Sequence, residues 1–425
     1  MLCQEIRETM TNSSPHVEIL TIERLGAQGD GVAPGPLFVA GVLPGERVRV
    51  RVAGERGQLE EILSPSPDRV APPCPHFGDC GGCALQHWAA EPYLAWKVEQ
   101  IRLALGRERI ETELLAPFAA PPGSRRRLAL HARRKGQGAE IGFKARRSWR
   151  LAPIDTCVVA EPALVRVFPA LRRLAAPLFE HPKSAPILHV TSSETGIDVD
   201  ITGVERRAGS LSADARMALA RVAAEADFAR VTLNGETIAQ LRPPRLRIGG
   251  VSLDLPPGSF LQAVPAAEAA MGAFTVEAVD GAAAVADLYC GVGAFALRLA
   301  RQARVLAVDV SAEAVRALAA AHGGAEGLKP IAVEARDLAR RPLLARDLAT
   351  FEAAVIDPPR AGAPEQHREL AASQVSRIVG VSCNPATFVR DARILTDAGF
   401  KLERVLPVDQ FLWSPHIELV GVFSR

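Results

Sequence analysis

The segment Ala284-Val-Ala-Asp-Leu-Tyr289 is an apolar run that passes into Cys290-Gly-Val-Gly-Ala294 and then into Phe295-Ala-Leu-Arg-Leu-Ala300, whose apolar spacing is helical. Strand, glycine turn and helix in that order predict a βα unit. Gly291 and Gly293 permit backbone conformations closed to other residues and let a ligand approach the helix N-terminus. The next apolar run, Arg304-Val-Leu-Ala-Val-Asp309, ends in an acid 18 residues after Gly291. At that place a carboxylate accepts hydrogen bonds from a ribose diol. Strand and helix signals alternate from Val251 to Arg425, which predicts a doubly wound, Rossmann-like α/β domain. Gly291-x-Gly293-x-x-Ala296 also fits a nicotinamide-dinucleotide fingerprint, so the glycines do not by themselves select a cofactor.

The residues that follow do. The strand Phe351-Glu-Ala-Ala-Val-Ile-Asp357 ends in Asp357-Pro358-Pro359-Arg360. An acid-Pro-Pro step after the fourth strand is typical of S-adenosylmethionine enzymes that methylate bases, the prolines stiffening a loop over a planar substrate. Asp337, after the Ile331-Ala-Val run, is either a partner for an adenine amino group or a solvated loop acid. Cys383, in Ser382-Cys-Asn-Pro385, follows the apolar run Val375–Ser382. A thiol at a strand's carboxyl end lies where open α/β sheets bind ligands, so it is a candidate nucleophile; a small buried apolar residue is the plainer reading.

Upstream, His16 to about Ser64 alternates as in Glu46-Arg-Val-Arg-Val-Arg-Val52 and is rich in turns from Gly26 to Gly35, which predicts a five-stranded, OB-like barrel of the kind that binds oligonucleotides. A Pro-rich stretch from Ser64 leads to a cysteine loop, and a central α+β region follows. We expect four segments: a disordered N-terminus over 1–15, the barrel over 16–68, a central domain over 69–250 and the α/β domain over 251–425. Between Ser124 and Arg150 stand ten basic residues, Arg126 and Arg134 among them, against one acid, Glu140. The cluster suggests strands that present a positive face to phosphates, with a solvated basic face as the other reading. No stretch reaches the length of a membrane span and no signal peptide is evident, so the chain is expected in the cytoplasm, with its seven cysteines reduced unless they bind metal. Cys74-x5-Cys80-x2-Cys83 and Cys157 supply four soft thiolates, fitting either a four-cysteine zinc site or an iron-sulfur cluster.

Taken in order, Phe260-Leu-Gln262, Asp287-Leu-Tyr-Cys-Gly-Val-Gly293, Asp357-Pro-Pro-Arg-Ala-Gly362, Ser382-Cys-Asn-Pro-Ala-Thr387 and Val408-Asp-Gln-Phe…His416-Ile-Glu418 resemble the RNA 5-methyluridine methyltransferases. The resemblance implies a TRAM domain for the N-terminal barrel and a 4Fe-4S cluster on Cys74, Cys80, Cys83 and Cys157. It implies Cys383 as the nucleophile that adds to uracil C6 and Glu418 as the base that removes the C5 proton. Tyr289, Gly291, Gly293, Asp309 and Asp337 would hold S-adenosylmethionine. Gln262 and Asp357 would lie near both cofactor and uracil, and Arg126 and Arg134 would contact RNA. Ribosomal RNA of the large subunit is the expected substrate, transfer RNA the alternative, and a monomer is expected. Glu418 in an alternating run equally fits the outward residue of a strand.

Two departures from the family pattern, Val264 for Asn and Phe411-Leu-Trp-Ser-Pro for Phe-Pro-x-Thr, bear on RNA specificity. A radical enzyme would need Cys-x3-Cys-x2-Cys, which the first gap excludes. A non-catalytic iron-sulfur RNA-binding protein is the remaining rival, opposed by the retained Cys383, Glu418 and glycine loop.

Overall fold

A computed structural model describes residues 15–205 and 211–425. The expected disordered N-terminus falls, but for Pro15, outside the described residues, as does Cys3. The chain divides into two compact units, one running to Lys97 and taking in Trp413–Pro415, the other comprising Val98–Leu412 and His416–Arg425. The divisions expected at 68 and 250 therefore fall inside units. The cysteine loop goes with the N-terminal sheet, and the central sheet shares a unit with the α/β domain.

In the first unit the strands lie in the order His16–Thr21, Arg47–Ala53, Arg56–Ser64, Leu37–Val39, Gly31–Ala33 and Arg24–Leu25. Among the described residues these are six strands where five were expected, because Arg24–Leu25 is too short to leave an alternating signature. Strict alternation in Arg47–Ala53 sends Val48, Val50 and Val52 inward against Ile22, Val39 and Val42 and leaves the arginines outside. Glu46 is fully buried yet accepts from the backbone N–H groups of Leu43 and Ser66 and pairs with Arg69 at 2.5 Å. Burial opposes its charge, but Arg69 and the two N–H groups prevail and hold the carboxyl below its ordinary value.

In the second unit a mixed sheet runs Leu151–Pro153, Gly138–Lys144, Arg127–Lys135, Ile187–Ser193, Gly196–Thr202, Arg230–Leu233 and Glu236–Gln240. Five of the ten basic residues, Arg127, Arg133, Arg134, Lys135 and Lys144, lie in its antiparallel hairpin, Arg127–Lys135 against Gly138–Lys144. Part of its charge is neutralised there, since Arg133 and Lys135 both pair with Glu140.

The α/β domain contains β1 (Ala284–Leu288), β2 (Arg304–Asp309), β3 (Ile331–Ala335), β4 (Ala353–Ile356), β5 (Arg377–Ser382), β6 (Lys401–Asp409) and β7 (Glu418–Ser424). Their order is β3-β2-β1-β4-β5-β7-β6, parallel except that β7 runs antiparallel to both β5 and β6. β1 and β4 are buried throughout, as central parallel strands covered on both faces must be. Helix α1 (Pro265–Ala278) opens with Pro at its first position. Next come α2 (Ala296–Leu299), α3 (Ala312–Gly323), α4 (Pro364–Ala372) and α5 (Pro385–Asp397). Ser311 caps α3 by accepting from Ala314 N, and Asn384 caps α5 by accepting from Ala386 N. The sheet order reverses between β1 and β4, so Tyr289, Asp357 and Cys383 all emerge at the carboxyl edge on which such sheets hold ligands.

Candidate active site

β5 ends at Ser382 and α5 begins at Pro385, so Cys383 occupies the turn between them, half-buried. In the β5–β7 ladder Ser382 faces Leu419. The nucleophile candidate therefore follows one partner of that pair in sequence and Glu418 precedes the other. Antiparallel pairing places them side by side at the end of one ladder. Glu418 is 4% exposed, an inward group and not the outward strand residue that alternation alone allowed.

Three further side chains lock this end of the sheet. Gln410, 2% exposed, accepts from Ala263 N at 2.9 Å, which fixes its amide the right way round. Its Nε2 then donates to Glu418 Oε2 at 2.8 Å and to Gln262 Oε1 at 2.7 Å. With its oxygen so engaged, Gln262 donates from Nε2 to Asp357 Oδ2 at 3.1 Å. Gln410 lies within the Val408-Asp-Gln-Phe motif but carries no signal in the sequence that it joins the two acids.

Charge is arranged unusually at this end. Burial lifts the Asp357 carboxyl to about 7 against the hydrogen bond from Gln262. Burial and the nearby Asp357 charge lift Glu418 to about 8 against the hydrogen bond from Gln410. Cys383 is pushed up to about 11 by burial, then by Glu418, while the Arg360 guanidinium acts the other way. Two acids poised near neutrality beside a thiol form a set able to take and return protons.

At β1 the chain turns through Tyr289 with φ +63° and continues with Gly291 at +53° and Gly293 at +96°. A Cβ on Gly293 would stand 2.5 Å from Leu318, so glycine is required there by both angle and space. Positive φ at a tyrosine is strain that the surroundings must hold, a mark common at ligand sites. Asp309 accepts from Gly291 N at 2.9 Å and Ser311 N at 2.8 Å, which ties the acid ending β2 to the glycine turn. Asp337 accepts from Ala339 N and Arg340 N and so shapes its own loop. It also lies close enough to Tyr289 to help raise that phenol, after burial, to about 12.

Asp287, fully buried in β1, has neither carboxyl oxygen in a regular hydrogen bond among the described residues. Burial, Asp357 and Asp309 all push it far above its ordinary value, and only the Ala296 backbone acts favourably. Converging carboxyls of this kind are relieved by a cation, so this donor set fits a positively charged ligand such as a sulfonium.

Arg126 corrects one expectation. It is 4% exposed, pairs with Glu268 at 2.5 Å and donates from Nε to the Gln262 carbonyl at 3.0 Å, so it is closed to an RNA phosphate and braces Gln262 instead. Arg298 reaches the other Glu268 oxygen at 3.2 Å. Arg126→Met leaves Glu268 with half its pairing, and we expect it to lower unfolding free energy by about 3 kcal/mol, read by denaturant titration. An unchanged midpoint would remove the bracing role. Arg134 is exposed, as a phosphate contact requires.

Cys74, Cys80 and Cys83 are half-buried in the first unit, and Cys157 belongs to the second. Among the described residues no group of three or more Cys, His, Asp or Glu side chains gathers as a metal site.

Residues 245–425 match the family model described as tRNA (Uracil-5-)-methyltransferase. An uncharacterized RNA methyltransferase of Caulobacter vibrioides is 63% identical over 412 residues, 96% of this chain and 99% of that protein. The 23S rRNA (uracil(1939)-C(5))-methyltransferase RlmD of Chromohalobacter salexigens is 34% identical over 96% of this chain and 89% of its own length. In solved structures, Pyrococcus abyssi tRNA (uracil-54, C5)-methyltransferase in complex with S-adenosyl-L-homocysteine shares the fold with TM-score 0.73 at 23% identity, over 96% of this chain and 100% of that one. The chain belongs to the RNA (uracil-5-)-methyltransferase family. No helix among the described residues is long and apolar enough to cross a membrane.

Proposed function

We propose that this enzyme methylates C5 of a uridine in large-subunit ribosomal RNA, using S-adenosylmethionine and a covalent bond from Cys383 to C6 of the base. The observation that carries the reading is the placement of Cys383 and Glu418 side by side at the end of the β5–β7 ladder, with Gln262 and Asp357 wired to Glu418 through Gln410. Ribosomal RNA is favoured by the 34% identity to an enzyme named for that substrate.

Bound S-adenosylmethionine supplies an electrophilic methyl group. The glycine turn, Tyr289, Asp309 and Asp337 would hold it, and the buried acids Asp287 and Asp357 would offset its positive charge. Carbon 5 of uracil is a weak nucleophile. As Cys383 Sγ bonds to C6, the C5–C6 π pair moves toward O4 and makes C5 electron-rich. The thiol proton passes to the Asp357–Glu418 pair. After C5 has gained its methyl group, Glu418 removes the C5 proton, the electron pair returns to form C5–C6, and sulfur leaves with its proton restored. One proton per cycle goes to solvent. A target base in folded RNA must leave its stack to reach Cys383 and the buried Glu418.

The test is nucleoside mass spectrometry with primer mapping of ribosomal and transfer RNA from a deletion strain. Loss of one 5-methyluridine in large-subunit RNA supports the reading, loss from transfer RNA alone moves the substrate, and no loss in either removes it.

We also propose that the first unit's sheet is an RNA-gripping TRAM domain and that Cys74, Cys80, Cys83 and Cys157 hold a 4Fe-4S cluster, on the support of the resemblance to the family, since their spacing suits zinc and iron-sulfur alike. Anaerobically purified protein should then be brown and contain about four irons per chain. A colourless protein with one zinc per chain would mean that the thiolates serve a different metal. No step of the chemistry above passes through these cysteines.

A further inference from the structure

Between Gly138–Lys144 and Leu151–Pro153 the chain turns through Ala145-Arg-Arg-Ser-Trp-Arg150, and Trp149 stands 89% exposed. An indole so open to water is rare, because its large apolar surface gains most from cover. The turn itself is well fastened. Lys144 faces Leu151 across the hairpin, Ala145 N donates to Arg150 O at 2.8 Å, Ser148 N to Ala145 O at 3.0 Å and Arg150 N to Ser148 Oγ at 3.0 Å. Lys144 Nζ donates to Trp149 O at 3.1 Å and lies 5.8 Å from the ring centroid, so the indole is braced at its base. Arg147 takes φ +53°, a strained angle for a side chain of that size, which gives the tip its sharp bend. No acid occurs between Glu140 and Asp155, and Lys144, Arg146, Arg147 and Arg150 fall in that interval.

We propose that this turn is a stacking post for an unpaired RNA base outside the pocket that takes the target uridine, with Trp149 under the base and the flanking cations on its phosphates. The inference rests on the proposal that the substrate is RNA. A π-face is offered to every base alike, so the post grips the strand beside the target without reading its sequence. The surrounding positive charge selects a polyanion over an apolar protein surface. A pre-ordered turn loses little freedom when a base lands on it, which favours a fixed post over a loop that must fold on binding.

The chain has four tryptophans, and of these Trp149 is exposed while Trp88, Trp96 and Trp413 are buried or half-buried. With an unmodified in vitro transcript of large-subunit ribosomal RNA as the probe, titration should quench the Trp149 part of the fluorescence. Trp149→Phe should lose that quench while keeping affinity within about threefold. Trp149→Ala should bind about 10- to 100-fold more weakly with an unchanged salt slope, since no phosphate contact is removed. Circular dichroism shows that each variant is folded. If wild-type protein binds and methylates the transcript and Trp149→Ala matches it within twofold, the post is wrong and the function stands. If wild-type protein neither binds nor methylates any ribosomal or transfer RNA, the functional reading itself falls.

Discussion

Replacing Cys383 by Ala should abolish methyl transfer to RNA, by more than about 10^4-fold, and with it any covalent protein–RNA species on denaturing gels. Both losses have one cause. Without sulfur at C6 the C5–C6 π pair stays in the ring, and C5 is too poor a nucleophile to accept a methyl group. The side chain lies in a capped turn and is small, so the substitution disturbs little: Asn384 still caps α5 and Ser382 still pairs with Leu419. S-adenosylmethionine affinity should stay within about twofold, since the glycine turn lies on a different strand. Methylation of C5 by Cys383→Ala at a tenth of the wild-type rate would refute the covalent route.

Glu418→Gln should behave differently. If Glu418 removes the C5 proton, the variant still forms the bond from Cys383 and still methylates C5, but elimination stalls and a methylated adduct accumulates. Turnover should fall about 10^2- to 10^4-fold, the usual contribution of a general base. Because burial and Asp357 hold this carboxyl near 8, the wild-type rate of adduct resolution should climb with pH through about that value as Glu418 ionises. The same shift has a stability consequence of opposite sense. Its folded-state value lies above the ordinary 4.5, so the folded protein binds more protons than the unfolded chain between about 4.5 and about 8 and loses stability as pH rises through that window. The Gln variant lacks this loss. Its Tm should gain on wild type from about pH 5 to about 8 and hold a constant lead above. Normal turnover by Glu418→Gln, with no adduct, would assign proton removal to another group. A Tm difference flat with pH would mean that Glu418 is not held neutral by its surroundings.

Most of the catalytic sheet was legible because its signals are local. An apolar run, a glycine turn and a helical run lie within about twenty residues, and the acid placed 18 residues beyond Gly291 does reach the glycine turn, bonded to the Gly291 N–H. The place of Cys383 at a strand's end was readable from the run before it. What escaped the sequence depends on partners far along the chain. Arg126 sits in a basic cluster and reads as one more surface cation, yet Glu268, 142 residues away, takes it inside. Gln410 meets Gln262 across 148 residues, and nothing local marks either amide as part of a chain between two acids. The extra short strand Arg24–Leu25 was missed because two residues cannot alternate visibly. The positive φ of Tyr289 was hidden because tyrosine gives no hint of the left-handed conformation that glycine advertises.

The pairing of Ser382 with Leu419 makes the sheet a ruler for the chemistry. The separation of Cys383 from Glu418 is set by backbone hydrogen bonds between neighbouring strands and inherits their stiffness. Inserting or deleting one residue within β7 would turn Glu418 to the opposite face, so such changes are closed to this lineage while the reaction is kept. Divergence toward a different uridine must therefore be written in parts that do not carry the ruler: the exposed Phe260, the Phe411–Leu412 segment and the Ala145–Arg150 turn. Relatives that modify different RNA sites should differ in those parts while holding the length of β5 and β7 fixed.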